Sequence, residues 1–352
     1  MSGFRRIDTE ALKRSRPITD VVSSYGIELH SSGRTLVGRC PFHTDGGRPN
    51  LYLYPATESF YCFRCGIGGD VITFVEKIEG VDFRSAVTHL SGGGPFVPGR
   101  HPTSSVPARR RDHSSRWGVE ERTCLAAAVE LYHNRLITDP SALAYVERRG
   151  LRRETLERCR VGYAAGDGLA SYLRWRGVPI QAALRTGLLW RGGNELMAGR
   201  IVVPEVRNGR PVWLIGREVD DAGGPKYLGL PGSRRLLGWG AASHERSICV
   251  VEGVFDWLTL QQWGEPSLAL LGTHVRPKIV EALGRFERVY LVLDSDPAGR
   301  EAAGRLLSTL GPLAVPVALD GVKDVAELAT RPDGATRFRR AIAEAAQPIA
   351  AR

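Results

Sequence analysis

Apolar positions change their spacing several times along the chain, and the changes divide it. Leu51-Tyr52-Leu53-Tyr54 and Ser59-Phe60-Tyr61 predict two strands around a turn over Pro55 to Glu58. From Ser91 to Arg116 neither helical nor strand periodicity is present; Gly, Pro and Ser dominate, and the segment predicts a flexible linker carrying Arg109-Arg110-Arg111. Apolar periodicity resumes at Cys124, Leu125 and Val129. From Ser247 short β-branched runs alternate with amphipathic stretches. They predict strands at 248–251, 268–271, 289–293 and 313–319, with helices from Gly253 to about Trp263, from Arg276 to Arg285 and from Ala298 to Leu310. That alternation is the order of a doubly wound α/β sheet. The expected architecture is therefore α/β and multi-domain: an N-terminal domain over 1–90, a basic linker over 91–118, an α+β subdomain over 119–240, and a doubly wound α/β subdomain with C-terminal helices over 241–352. No internal repeat is visible.

Composition excludes two classes. No run approaches the roughly 18 apolar residues of a membrane-spanning helix, and Met1 to Asp20 has no apolar signal-peptide core, which predicts a soluble cytoplasmic protein with no membrane partner. Six cysteines in 352 residues are too few for a disulfide-stapled fold, and Cys40, Cys62 and Cys65 crowd into one stretch. Cys124, Cys159 and Cys249 stand alone in apolar patterns and read as core residues. The net charge of +10 is unevenly spread: +1 over 1–90, +4 over 91–118, +6 over 119–240 and −1 over 241–352. A GC-rich genome accounts for 43 of the 48 basic residues being Arg. It does not account for a basic middle beside a near-neutral, carboxylate-bearing end, which suits a nucleic-acid partner.

Cys40-Pro41-Phe42-His43 and Cys62-Phe63-Arg64-Cys65 each carry two ligands three positions apart, with eighteen residues between the pairs. Two such turns can present four donors to one tetrahedral Zn2+, and Gly66, Gly68 and Gly69 give the second turn its freedom. With no open position, a single zinc here is structural. Tyr52, Tyr54, Tyr61 and Phe63 are candidates for base stacking, with Arg34, Arg39, Arg48 and Arg64 on phosphates, although half of those rings must face the ribbon's own core.

The second cluster is acidic. Glu252 follows the strand at 248–251, and Asp294 and Asp296 follow the strand at 289–293; sites in such sheets form outside the carboxyl ends of strands. Three carboxylates at one sheet edge repel unless cations neutralise them, and oxygen-only ligands suit Mg2+ or Mn2+. Such metals leave positions for phosphate oxygens. Asp324 and Asp256 are expected as secondary ligands or water-positioning groups.

Glu252-Gly253 with Asp294-Ser295-Asp296-Pro297-Ala298-Gly299 two strands later resembles the Toprim fold of bacterial primases, topoisomerases and some nucleases. The Cys-His-Cys-Cys cluster, followed by Gly66-Ile67-Gly68-Gly69-Asp70, resembles the zinc ribbon that opens DnaG-type primases. Between them, Tyr145 to Leu151, Gly199 to Pro204, Ile215-Gly216-Arg217 and Pro225 to Leu228 are similar to the basic half of the primase core. The resemblance runs from about Asp8 to Ala345. It implies a DNA primase, a DNA-dependent RNA polymerase that joins NTPs into short primers on a single-stranded DNA template by two-metal nucleotidyl transfer. Glu252, Asp294 and Asp296 would be catalytic, and Arg200, Arg217, Lys226 and Tyr227 would hold template or nucleotide phosphates. The family's further pair of aspartates appears here as Asp324 with Ala326 at the second place, and Asp320 nearby. Family members continue into a helicase-binding domain beyond the point where this chain stops. A phage, plasmid or mobile-element primase, or a specialised relative, would explain both departures; the chain is expected to be a monomer, with any replicative helicase encoded separately. The competing readings are a Toprim nuclease, a topoisomerase-like enzyme, and a non-catalytic single-stranded nucleic-acid-binding protein of a mobile element.

Overall fold

The computed structural model describes residues 9–43, 49–62, 67–92, 117–190, 193–219, 225–231, 236–272 and 276–347. Two compact units emerge, one comprising Met1–Trp117, Ile180–Leu196 and Asp220–Ser233, the other Gly118–Pro179, Met197–Val219 and Arg234–Arg352. Most of the predicted linker, including Arg109 to Arg111, lies outside the described residues.

In the first unit five strands form an antiparallel sheet in sequence order: β1 (Leu29–Ser32), β2 (Thr35–Gly38), β3 (Leu51–Tyr54), β4 (Ser59–Cys62) and β5 (Gly68–Asp70). Alternation along β3 and β4 sends Leu51, Leu53 and Phe60 into one core with Ile18, Val22, Phe74 and Val75. Phe60 and Phe74 meet edge to face with ring centroids 5.2 Å apart. The helices that complete this core are capped by aspartates. Asp70 accepts from the Thr73 amide (2.9 Å) to open Val71–Glu79, and Asp82 accepts from the Ser85 amide (2.9 Å) to open Phe83–Leu90.

The second unit begins with the 20-residue helix Val119–Thr138, which buries Cys124, Leu125, Val129, Tyr132 and Leu136. β7 (Arg200–Arg207) pairs antiparallel with β6 (Gly162–Ala164) and with β8 (Arg210–Glu218). The β7–β8 hairpin closes through Asn208 and Gly209, both at positive φ (49° and 72°), the backbone of a two-residue turn whose twist matches the strands. The short β9 (Tyr227–Gly229) belongs to the first unit.

The remaining strands are β10 (Ser247–Val251), β11 (Ser267–Ala269), β12 (Arg288–Leu291) and β13 (Ala314–Pro316), all parallel in the order β11-β10-β12-β13. The predicted doubly wound sheet is present, with shorter strands than expected. β13 stops at Pro316, which has no N–H for a ladder, and Leu271 has left the extended region at φ 59°. The connection from β10 runs to one side of the sheet and that from β12 to the other, so their carboxyl ends flank the crevice where ligand sites form. Of the isolated cysteines Cys124 and Cys249 are buried, and Cys159 is half-buried with its thiol pushed up to about 11 by burial. No described helix is long and apolar enough to cross a membrane.

Candidate functional site

Cys40 and His43 follow β2, and Cys62 ends β4. Their ligand atoms all lie within 4.8 Å of one another, with Cys62 Sγ 3.8 Å from His43 Nδ1. Both thiols are buried in the ribbon core while the imidazole is half-buried. Two soft sulfurs and one imidazole converging on a point fit zinc, and the fourth predicted ligand, Cys65, lies outside the described residues. Among the stacking candidates Tyr54 is buried, so its ring belongs to the protein interior. Tyr52 and Tyr61 sit opposite each other across β3 and β4 and are half-buried. Gly68 opposes Tyr61 on the next strand, and a Cβ there would stand 2.5 Å from the ring, so the glycine leaves room for it. Arg34 and Arg39 are exposed; Phe63, Arg48 and Arg64 lie outside the described residues.

At the other cluster Glu252 follows β10 and Asp294 follows β12, at the ends of adjacent strands. Among the described residues Glu252 Oε2 is buried without a hydrogen-bond partner. Burial, reinforced by the charges of Asp294, Asp296 and Asp256, pushes the Glu252 carboxyl up to about 7. Asp294 is raised by burial and by Asp324. An acidic oxygen buried without a donor, in a group whose neighbours repel its charge, is suited to ligating a divalent cation. Asp296 caps the helix Pro297–Leu310 by accepting from the Gly299 amide (2.9 Å), which with Lys323 holds it below the usual carboxylate range. Gly299 is required here. A Cβ at that position would lie 2.1 Å from the Asp294 carbonyl oxygen, so only glycine lets the helix start this close to the acidic turn.

Asp256 and Asp324 join the same cluster by different routes. Asp256 is 7% exposed, and its two oxygens accept from the amides of Gly253 (3.1 Å) and Ala326 (2.8 Å). It ties the turn after Glu252 to the segment after Asp324, and burial, then Asp324, pushes it up to about 7. Asp324 caps the short helix Val325–Leu328 through the Glu327 amide (2.7 Å). A cation joins the group: Lys323 Nζ stands 3.3 Å from Asp296 and 3.5 Å from Asp294, and the Arg300 guanidinium donates to the Ser295 carbonyl between them.

The phosphate-binding candidates separate. Lys226 is exposed, with Nζ 5.6 Å from the centroid of the half-buried Tyr227 ring. Arg217 is half-buried and donates through Nη1 to the Glu218 carbonyl (2.9 Å). Arg200 departs from the expectation of a surface phosphate ligand: it is 5% exposed and pairs with Glu218 at 3.8 Å. Its stem lies over Gly216, whose missing Cβ would stand 2.8 Å from it.

Two residues escaped the sequence reading. Lys323 was passed over beside Asp324, although a lysine next to an acidic ligand candidate is a signal in a chain with five lysines. Arg149 was one of several basic residues in its stretch, yet its guanidinium stacks over Tyr145 (4.9 Å) and Phe255 (4.5 Å), the latter on the helix that carries Asp256. Gln262 fastens the same turn by accepting from the Arg152 amide (2.7 Å) and donating to the Gly150 carbonyl (2.8 Å).

Comparison with known proteins finds the same succession of parts. Residues 5–93 match the family model described as a CHC2 zinc finger, residues 131–234 the DNA primase catalytic core, N-terminal domain, and residues 249–328 a Toprim-like family. The DNA primase of Halalkalibacterium halodurans is 31% identical over 319 residues, covering 84% of this chain and 52% of that protein. The DNA primase of Aquifex aeolicus is 29% identical over 313 residues, 84% of this chain and 60% of the relative. The chain thus spans about half the length of the curated relatives it matches. Among solved structures, the zinc-binding and RNA polymerase domains of the Aquifex aeolicus primase align with a TM-score of 0.59 at 28% identity, over 98% of this chain and 86% of that one.

Proposed function

The chain belongs to the DnaG-type DNA primases, and from that membership we propose that it synthesises short RNA primers from NTPs on single-stranded DNA, acting as a nucleotidyltransferase. The observation that carries this reading is the meeting of Glu252 and Asp294 at the ends of adjacent parallel strands, with a Glu252 oxygen buried and without a donor. Those two carboxylates, with Asp296 and Asp324 beside them, are the groups to hold Mg2+ or Mn2+. When bound, such an ion neutralises phosphate charge and aligns an attacking 3'-hydroxyl with the α-phosphate. Asp256 positions: its two backbone hydrogen bonds hold the Glu252 turn against the Asp324 segment. Lys226 and Arg217 are proposed to grip phosphates of template or nucleotide, and Tyr227 to support Lys226 beneath its ammonium group. Cys40, His43, Cys62 and Cys65 are proposed to hold one structural zinc that fastens the ribbon.

A single-stranded DNA template, labelled NTPs and Mg2+ or Mn2+ test the proposal together. Template-dependent incorporation of ribonucleotides is the expected outcome. Cleavage of the DNA without incorporation would shift the reading to a nuclease using the same carboxylates, and salt-sensitive binding without either reaction would leave a binding protein.

A further inference from the structure

The chain itself places a cation on the carboxylates of the acidic site. We infer that Lys323 fills a cation position of this site, between Asp294 and Asp296, so that a divalent ion entering that position must displace its ammonium group. The inference rests on the proposed metal-binding role of the carboxylates and goes beyond it by making the cation positions unequal.

The geometry is specific. Nζ approaches oxygens of two different carboxylates, 3.3 Å from Asp296 and 3.5 Å from Asp294, as a compact ammonium with three donors can. The main chain of the same residue is pinned on both sides. Its carbonyl accepts from the Ser295 amide (3.0 Å), between the two aspartates, and its own amide donates to Glu327 (2.8 Å). The segment that delivers the ammonium is therefore tied to the turn that delivers the acids. Exposure orders the cluster from outside inwards: the Lys323 side chain is 52% exposed, Asp296 39% and Asp294 17%. Glu252 Oε2, at the inner end, is buried and has no partner among the described residues.

Two positions result. The inner one, at Asp294 and the Glu252 oxygen that has no hydrogen-bond partner among the described residues, takes a divalent ion with Lys323 in place. The outer one, at Asp294 and Asp296, is filled by Lys323. Like charges at such separations oppose each other even through a largely aqueous surround, so the ammonium weakens binding of any ion that shares Asp294.

Zinc-loaded full-length protein, free of DNA and nucleotide, is titrated with Mn2+ and followed by electron paramagnetic resonance. Wild type should take up one Mn2+ at the acidic site. Lys323→Met should bind a second Mn2+ or bind the first about tenfold more tightly, and Lys323→Gln should do the same, which guards against misfolding caused by the apolar substitute. Lys323→Arg keeps the charge and should resemble wild type, while Asp296→Asn in the Lys323→Met background should abolish a second site. A purely structural lysine would change the melting temperature without strengthening Mn2+ binding. Unchanged stoichiometry and affinity in folded Lys323→Met and Lys323→Gln would overturn the inference while leaving the metal site standing. Binding that is indifferent to both Glu252→Gln and Asp294→Asn, or no Mn2+ binding by any variant, would overturn the metal-site reading itself and this inference with it.

Discussion

The ribbon cluster and the acidic cluster gather ligands under opposite constraints. In the ribbon, Cys40 and Cys62 are part of the hydrophobic core, continuous with Leu51, Phe60 and Phe74, so the same residues that fill the interior present the donors. A thiol is a tolerable buried neutral group, and metal binding there is coupled to folding. At the acidic site the donors stand at the ends of parallel strands, positioned by the main chain of the sheet, and the cost appears as raised carboxyl pKa values and an oxygen without a hydrogen-bond partner among the described residues. On the proposed assignments a metal on the first scaffold would complete a fold, and on the second it would relieve a charge conflict the fold imposes.

The largest expected effect comes from breaking the first half of that contrast. Cys62→Ala removes a donor from the centre of the ribbon, and zinc sites of this kind contribute about 10 kcal/mol or more to the folding of small domains. Metal analysis should fall from about one zinc per chain to none, and limited proteolysis should open the β1–β5 region. Stoichiometric zinc in purified Cys62→Ala protein would remove this residue from the ligand set.

Glu252→Gln should behave in the opposite manner. The fold should persist, because the substitution removes a repelled charge, while primer synthesis falls at least about a hundredfold, a loss of roughly 3 kcal/mol in transition-state stabilisation. Template affinity should stay close to wild type. Synthesis at near wild-type rates would show that the unpartnered oxygen is not a metal ligand.

pH sharpens the contrast, since acid should loosen one site and relax the other. The folded values of Glu252 and Asp256, each about 7, lie above their ordinary values of 4.5 and 3.8. Between the ordinary and the folded value the native state keeps a proton that the unfolded chain has released, so stability contributed by these groups is present at low pH and is lost as pH rises to about 7. In divalent-free buffer the melting temperature of the second unit should therefore fall from pH 5 to pH 7.5. Glu252→Gln should flatten that fall, and Mn2+ should offset it at the upper end, where the carboxylates are ionised. Zinc retention by the ribbon should run the other way and fail on acidification, because its ligands must be deprotonated. A wild-type fall identical to that of Glu252→Gln would show that this carboxyl does not titrate as described.

The contrast also explains what could be read from the sequence. Metal-ligand pairs in tight turns are local, so Cys40 with His43 and Cys62 with Cys65 announce themselves by spacing. Glu252 and Asp294 were legible because each ends a buried apolar run, and the doubly wound order brings such ends together. What was hidden depends on side-chain direction across elements. Asp256 reads in the sequence as a secondary ligand or water-positioning group, and the sequence does not show that the start of its helix turns its two oxygens to backbone amides 73 residues apart, those of Gly253 and Ala326. Arg200 looked like a phosphate ligand, but β7 points it inwards against Glu218 at the far end of the hairpin. Lys323 belongs to a segment with no periodicity, and it reaches the acids through bonds between distant segments, Ser295 to Lys323 and Ala326 to Asp256.

That difference between Arg200 and Lys226 supplies the smallest effect, one that charge counting along the sequence cannot separate. Lys226 is exposed and stands beside its neighbouring ring, so Lys226→Ala should leave the melting temperature unchanged and weaken single-stranded DNA binding a few-fold, uniformly across sequences. The plot of log affinity against log salt should become shallower by about 0.7, the contribution of one phosphate contact on a single strand. Arg200→Ala should instead lower the melting temperature, because it breaks an ion pair whose side chains are only 6% and 11% exposed and leaves a gap beside Gly216. Fluorescence anisotropy over a salt series, paired with thermal melting, distinguishes the two. A salt slope that shifts for Arg200→Ala with no loss of stability, or stays fixed for Lys226→Ala, would reverse their roles, placing the phosphate contact on the buried guanidinium and requiring the β7–β8 hairpin to open when DNA binds.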